Sequence, residues 1–178
     1  MLATNRAFQS FESIGTYHPY RRGNNPNFDH WSQQILNLKK SRGEAIRFFK
    51  NQVINYIENE LNYDISIITY VPSHEAHKTS KSGIAIVAEI VAVQCDLLFV
   101  DCLQRVRTID KLSYGGCRDI TVHMNSIEVV KKELIYNKNI LVLDDVSTTG
   151  NSLKACAILL NNTGVNNVFC LSLAQTTS

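Results

Sequence analysis

The stretch that most constrains this 178-residue chain is Asn139-Ile-Leu-Val-Leu-Asp144-Asp145-Val-Ser147-Thr148-Thr149-Gly150-Asn151-Ser152-Leu153. Its apolar run, Ile140 to Leu143, is bounded by polar residues and reads as a strand buried on both faces of a parallel sheet. Two carboxylates stand at the end of that strand. A hydroxyl-rich turn with Gly150 follows, and then Leu153, Ala157 and Leu160 at helical spacing. In open α/β sheets the ligand crevice lies beyond the carboxyl ends of the strands. A turn opening onto a helix N-terminus presents unpaired amides and the positive end of the helix dipole, which suit a phosphate. Acid pair and anion cradle side by side are what a sugar phosphate requires.

Each position carries its own chemistry. Asp144 and Asp145 can accept hydrogen bonds from vicinal hydroxyls, about twice as strong as neutral bonds when charge assists. Adjacent carboxylates repel, so a nearby cation or several donors must help keep both ionised. The hydroxyls of Ser147, Thr148, Thr149 and Ser152 can donate to phosphate oxygens, and Gly150 permits positive φ and close backbone approach. A plain surface connection with Thr149 or Asn151 as N-cap explains one polar residue, but not two acids followed by four hydroxyls.

The run Asp144-Asp145-Val-Ser-Thr-Thr-Gly-Asn-Ser resembles the phosphoribosyl-pyrophosphate (PRPP) signature of type I phosphoribosyltransferases, in detail that of the competence protein F (ComF) group. The resemblance implies that Asp144 and Asp145 hold the ribose 2′- and 3′-hydroxyls as catalytic residues. It also implies that Ser147, Thr148, Thr149, Gly150, Asn151 and Ser152 wrap the 5′-phosphate. Weaker similarity extends over about residues 65 to 173. Many ComF-like proteins carry an N-terminal cysteine zinc module, whereas the first cysteine here is Cys95.

The rest of the chain fits around this unit. Phe8, Phe11 and Ile14 suit a strand or a short helix, and Tyr17-His18-Pro19-Tyr20-Arg21-Arg22 leads into a loop. That loop reads either as ordinary surface with its aromatics packed down or as an acceptor-binding flap. Trp31, Ile35 and Leu38 sit at helical spacing within Asp29 to Lys39. Ser41-Arg-Gly-Glu44 matches a capping box for a second helix, about 42 to 61. Ile65 to Val71 is the first core strand. The segment after it corresponds by resemblance to the pyrophosphate loop, with Ser73, His74, Glu75 and Lys81 as its candidates. Lys81-Ser82-Gly83 stands where ComF-like chains have an Arg-Gly pair. His74 and His77 have no firm third ligand, so no dedicated metal site is expected.

Asp96 to Cys102 reads as a second strand. Residues 104 to 119 then carry Arg105, Arg107, Lys111 and Arg118 around Ser113-Tyr114-Gly115-Gly116. This is either a solvated loop or a lid over a polyanion, and its place after the second strand, as in the type I flexible loop, favours the lid. Ile120 to Met124 and Ile127 to Val130 are short edge pieces. Asn161 to Gly164 stops a helix, and Val165 to Leu173 is a last strand. The expected fold is α/β, a doubly wound parallel sheet of the type I phosphoribosyltransferase kind. Residues 61–178 are expected to form its core, and residues 1–60 a helical hood packed on it as one compact domain.

Composition excludes several classes. With 44% hydrophobic and 19% charged residues the chain reads as globular, and a net charge of +2 argues against direct nucleic-acid binding. Five cysteines without a C-x-x-C pair fit a reducing cytoplasm better than a disulfide framework. No apolar run reaches membrane-spanning length. The expected function is transfer of ribose 5-phosphate from PRPP to an unidentified acceptor, with Mg²⁺ held through substrate and water rather than by direct protein ligands. The alternative is a non-catalytic PRPP- or nucleotide-binding subunit acting with a protein or nucleic-acid partner, and either a homodimer or a hetero-complex is compatible. By resemblance, 6-oxopurine enzymes place an aspartate general base where Thr148 stands, so guanine and hypoxanthine are not expected as acceptors.

Overall fold

A computed structural model describes residues 10–110 and 119–177. Its centre is a five-stranded, all-parallel sheet in the order β1-β7-β6-β2-β3. The strands are β1 (Ser10–Tyr17), β2 (Ile67–Tyr70), β3 (Leu98–Phe99), β6 (Asn139–Ser147) and β7 (Asn167–Thr176). A separate antiparallel pair joins β4 (Leu103–Arg105) to β5 (Ile127–Val129). The helices are α1 (His30–Lys39), α2 (Gly43–Asn59), α3 (Gly83–Gln94), α4 (Ile120–Met124), α5 (Lys132–Ile135) and α6 (Asn151–Asn161).

Strand residues alternate between faces, so the buried run of β6 supplies two cores at once. Leu141 and Leu143 pack with Leu38 of α1, Phe49 of α2 and Val87 of α3. Ile140 and Val142 pack on the other face with Leu153, Cys156 and Leu160 of α6 and with Leu103 and Ile127 of the small sheet. Helices therefore cover both faces, as expected. Cys95, Cys102, Cys156 and Cys170 are free thiols. Among the described residues no helix is long and apolar enough to cross a membrane.

Several expectations need correction. The sheet does not begin at residue 61: β1 pairs in parallel with β7, from Ser10↔Phe169 to Tyr17↔Thr176, so residues 10–17 form one of its edges. The capping box at Ser41 does not form. Ser41 lies at φ +52 and donates its N–H to Leu38 O, because the short turn between α1 and α2 needs a left-handed residue. Arg42 becomes the N-cap of α2, without a side-chain hydrogen bond, and Glu44 accepts instead from Gln34 Nε2 at 3.0 Å. The strand expected over Asp96–Cys102 is only the two-residue β3. The chain then leaves the sheet as β4, which pairs with β5.

Between β1 and α1, Tyr20 meets Phe28 edge-on at 5.1 Å and stays half exposed. Phe8, the Ser113–Gly116 segment, Cys117, Lys111 and Arg118 lie outside the described residues.

Candidate active site at the carboxyl end of the sheet

The turn after β6 is built by strand pairing on one side and a helix start on the other. Pairing with β7 continues to Ser147↔Gln175, so Ser147 belongs to the strand rather than the turn. Its side chain is buried at 3% exposure and its Oγ finds no partner among the described residues, which corrects its placement on the phosphate-facing surface. Thr148 and Thr149 are exposed, and Thr148 Oγ1 lies 3.1 Å from Thr176 Oγ1. Gly150 caps α6 at φ +75, a conformation costly for residues with a Cβ, and the first amide of the helix, Asn151 N–H, donates to Thr149 Oγ1 at 3.4 Å. Ser152 Oγ lies 3.4 Å from His123 Nε2 of α4. The turn thus places two threonine hydroxyls beside the N-terminus of α6, which is anion-binding chemistry.

The two acids are adjacent in sequence but differently surrounded. Asp145 Oδ2 pairs with Lys39 Nζ of α1 at 3.2 Å, and its Oδ1 accepts from Val146 N–H at 2.7 Å. A carboxylate offers about four lone pairs, so capacity remains for a ligand hydroxyl. Asp144 accepts from Asp145 N–H at 2.9 Å. Its carboxyl is held well above the usual range, first by burial and then by the neighbouring Asp145 charge, with Lys39 and Arg105 acting in the opposite direction. The Lys39 ammonium is in turn raised, mainly by Asp145. The cation that an acid pair requires is therefore Lys39, which the sequence reading did not identify.

Beside this pair, across β2, a cavity of about 260 Å³ is lined by Ser73, Glu75, Lys78, Ser82, Asp101 and Arg105, among others. Its wall is the loop after β2, and that loop is braced from β4. Arg105 donates Nε to Ser73 O (2.9 Å), Nη2 to Pro72 O (3.4 Å) and Nη1 to Ser126 Oγ (2.6 Å). Ala76 N–H donates to Thr108 Oγ1 at 3.0 Å, and Ile109 N–H to His74 O at 3.0 Å. Arg105 is thus a correction to the lid assignment: it ends a strand, is 6% exposed, and clamps the loop from below. Arg107 is exposed in the bend that follows, and the remaining lid candidates fall outside the described residues.

The expected pyrophosphate-loop residues divide. Ser73 and Glu75 line the cavity. His74 Nε2 sits 3.4 Å from Glu75 Oε1. Lys81 does not join them, because its ammonium pairs with Glu89 of α3 at 2.5 Å; Lys78, 3.6 Å from Glu75, is the lysine at the cavity. Tyr70 and Asp101 also line it, and burial followed by Asp101 raises the Tyr70 phenol, which stays neutral. Among the described residues no three His, Cys, Asp or Glu side chains converge as a metal cage. The available donors are carboxylate and hydroxyl oxygens, the hard set that suits a Mg²⁺ carried mainly by phosphates and water.

No protein-family model matches the chain. A 59-residue stretch, 32% of the chain, is 48% identical to an adenine phosphoribosyltransferase of Borreliella afzelii (strain PKo). That stretch covers 34% of the relative, so the match spans about a third of its length. The crystal structure of adenine phosphoribosyltransferase from Thermoanaerobacter pseudethanolicus matches with a TM-score of 0.50 at 15% identity, over 81% of this chain and 86% of that one. The fold is that of the type I phosphoribosyltransferases. The glutamine PRPP amidotransferase of B. subtilis, complexed with ADP and GMP, is similar over 72% of this chain and 26% of its own, with 17% identity and a TM-score of 0.49. Within the phosphoribosyltransferase fold, the sites described above occupy the carboxyl ends of β6 and β2, neighbours in the sheet.

Proposed function

We propose that this chain transfers ribose 5-phosphate from PRPP to an acceptor nucleophile and releases pyrophosphate, and that within its fold it stands nearest the ComF-like group. The observation that carries the reading is the juxtaposition, at one end of the sheet, of the Asp144–Asp145 pair, the Thr148–Ser152 turn and the cavity braced by Arg105. The turn takes the 5′-phosphate, Asp145 accepts a ribose hydroxyl, and the cavity takes the pyrophosphate. Asp144 positions the turn and Asp145 through its hydrogen bond to the Asp145 amide.

In the reaction the bond from the anomeric carbon to the pyrophosphate oxygen breaks and its electron pair leaves with that oxygen. The acceptor atom supplies the new pair to the anomeric carbon and loses its proton to solvent. Positive charge grows on the sugar, as in glycoside cleavage, and negative charge on the leaving group. Lys78, the loop amides and the Ser73 and Ser82 hydroxyls face that negative charge. Mg²⁺, when bound, would supply charge neutralisation of the phosphates, and Glu75 and Asp101, the carboxylates lining the cavity, would hold it through its waters. The working compartment is cytoplasmic, in keeping with free thiols.

The test is isothermal titration of PRPP with Mg²⁺ into wild type, Thr149→Val and Asp145→Asn, together with pyrophosphate release across a panel of acceptors. Micromolar binding lost in both variants, with turnover of at least one acceptor, supports the proposal; wild-type protein that does not bind PRPP refutes it. A second reading, a PRPP-binding regulatory or effector subunit, is favoured by one observation. Lys81 is held on Glu89 rather than offered to the leaving group. PRPP binding without pyrophosphate release from any acceptor selects that reading.

A further inference from the structure

Beneath the phosphate turn lies a buried polar layer with His123 at its centre. This histidine of α4 is 3% exposed, and its Nε2 sits 3.4 Å from Ser152 Oγ in the first turn of α6. Nδ1, on the other side of the ring, is buried and has no partner among the described residues. The short helix that carries the ring is fixed at both ends. Asp119 caps it by accepting from Thr121 N–H at 2.9 Å, and Ser126 Oγ donates to Val122 O at 2.6 Å. Ser126 Oγ also accepts from Arg105 Nη1 at 2.6 Å, and Arg105 Nε donates to Ser73 O at 2.9 Å. One chain of bonds therefore runs from the loop after β2, through Arg105 and Ser126, to the helix that sets His123 against Ser152.

A neutral imidazole has one N–H and one lone pair, so its two nitrogens play opposite roles. Burial, and then the Arg105 charge, hold the His123 pKa below its usual value, so the ring is neutral at neutral pH. With the proton on Nδ1, a buried N–H would lack an acceptor, which is the rarer and costlier defect. Nε2 would then take the Ser152 proton for itself. With the proton on Nε2, the N–H donates to Ser152 Oγ and only a lone pair stays unmatched. The serine's own proton is then available, because its hydroxyl makes no other bond among the described residues. Phosphate oxygens are acceptors, so a serine committed as donor is what the turn needs.

We propose that His123 is a positioning residue: as the Nε2–H tautomer it occupies the acceptor side of the Ser152 hydroxyl and turns the serine proton toward the 5′-phosphate. This step rests on the PRPP reading above. It gives a role to a buried ring that neither touches the sugar phosphate nor belongs to the hydrophobic core.

The experiment reads the tautomer and the binding separately. Nitrogen NMR of the histidine-labelled full chain identifies the protonated ring nitrogen, with and without ribose 5-phosphate, and His123→Gln assigns the signal. Ribose 5-phosphate is then titrated into wild type, Ser152→Ala, His123→Leu, His123→Gln and the Ser152→Ala/His123→Leu double variant, with melting temperatures measured alongside. The Nε2–H form is expected in both states. Ser152→Ala and His123→Leu should each weaken binding about tenfold, the loss of one hydrogen bond to a charged group. The double variant should lose no more than either single one, because both remove the same interaction. His123→Gln should largely keep the affinity, since its amide can donate from the place of Nε2. An Nδ1–H or charged ring, losses that multiply in the double variant, or a folded His123→Leu protein that binds like wild type overturns the proposal. If His123→Leu does not fold, the wild-type tautomer and the His123→Gln affinity decide: a ring protonated on Nδ1, or a glutamine variant as weak as Ser152→Ala, overturns it. Wild-type protein with no affinity for PRPP and Mg²⁺ is the separate failure of the underlying reading, and this proposal falls with it.

Discussion

In Gly83→Ala the new methyl carbon would lie 2.1 Å from the Leu38 carbonyl oxygen and 2.8 Å from Leu38 Cδ1. Real Cβ atoms essentially never come closer than 3.0 Å to such neighbours, so the end of α1 and the start of α3 must part by about 0.9 Å, the difference of the two distances. The obstructing atom is backbone, and it already accepts the Ser41 N–H at 2.8 Å, so no rotamer change relieves it. Overpacking of this kind costs about 1–3 kcal/mol. For a chain of this size that is a fall in melting temperature of roughly 2–12 °C. Lys39 is the next residue after Leu38, so the same retreat draws its ammonium away from Asp145. Differential scanning calorimetry measures the first effect and PRPP titration the second, where about tenfold weaker binding is expected on the order of one lost charge-assisted bond. Gly43→Ala is the internal control. Nothing lies within 4 Å of its Cβ position in the first turn of α2, so alanine there should stabilise by about 0.4–1 kcal/mol. A Gly83→Ala protein that melts within a degree of wild type would refute the close-approach argument, and with it the claim that packing delivers Lys39.

The other expectations concern single groups. Burial and Asp145 raise the Asp144 carboxyl, so the folded chain holds its proton longer than the unfolded one. Stability from that group is complete below the unfolded value of about 3.9 and is lost as pH rises toward the raised one. Asp144→Asn should therefore flatten the fall in melting temperature between pH 4.5 and 8 and add about 0.5–2 kcal/mol at neutral pH, a stability gain at a functional position; an unchanged pH profile contradicts this. Arg105→Met leaves Ser73 O and Pro72 O without their guanidinium donor, while Ser126 Oγ keeps its bond to Val122 O, and should cost about 2–4 kcal/mol in urea unfolding while exposing the loop after β2 to limited proteolysis. Thr148 has a hydroxyl shared with Thr176 and no carboxylate to take a proton, so guanine and hypoxanthine should give no pyrophosphate release above background; robust turnover of guanine removes the argument.

What was legible in the sequence was local. The run Ile140–Leu143 has to be a doubly buried strand, because four consecutive apolar residues have no polar face to turn outward. Asp144, Asp145 and the Thr148–Ser152 turn follow from it within one strand–turn–helix unit, so their placement at the end of the sheet needed no distant partner. Lys39, Arg105 and Ser147 were not legible in this way, because each takes its role from an element far along the chain. Lys39 meets Asp145 only because Gly83 admits the end of α1. Arg105 is a clamp rather than a lid residue because β5 draws its strand away from the main sheet and buries it under the loop after β2. Ser147 is buried because β7 extends the ladder past the acids. Periodicity and turn chemistry report what a segment does with its own neighbours. Which charge faces which is decided by close packing, which fixes distances that no pattern in the chain encodes.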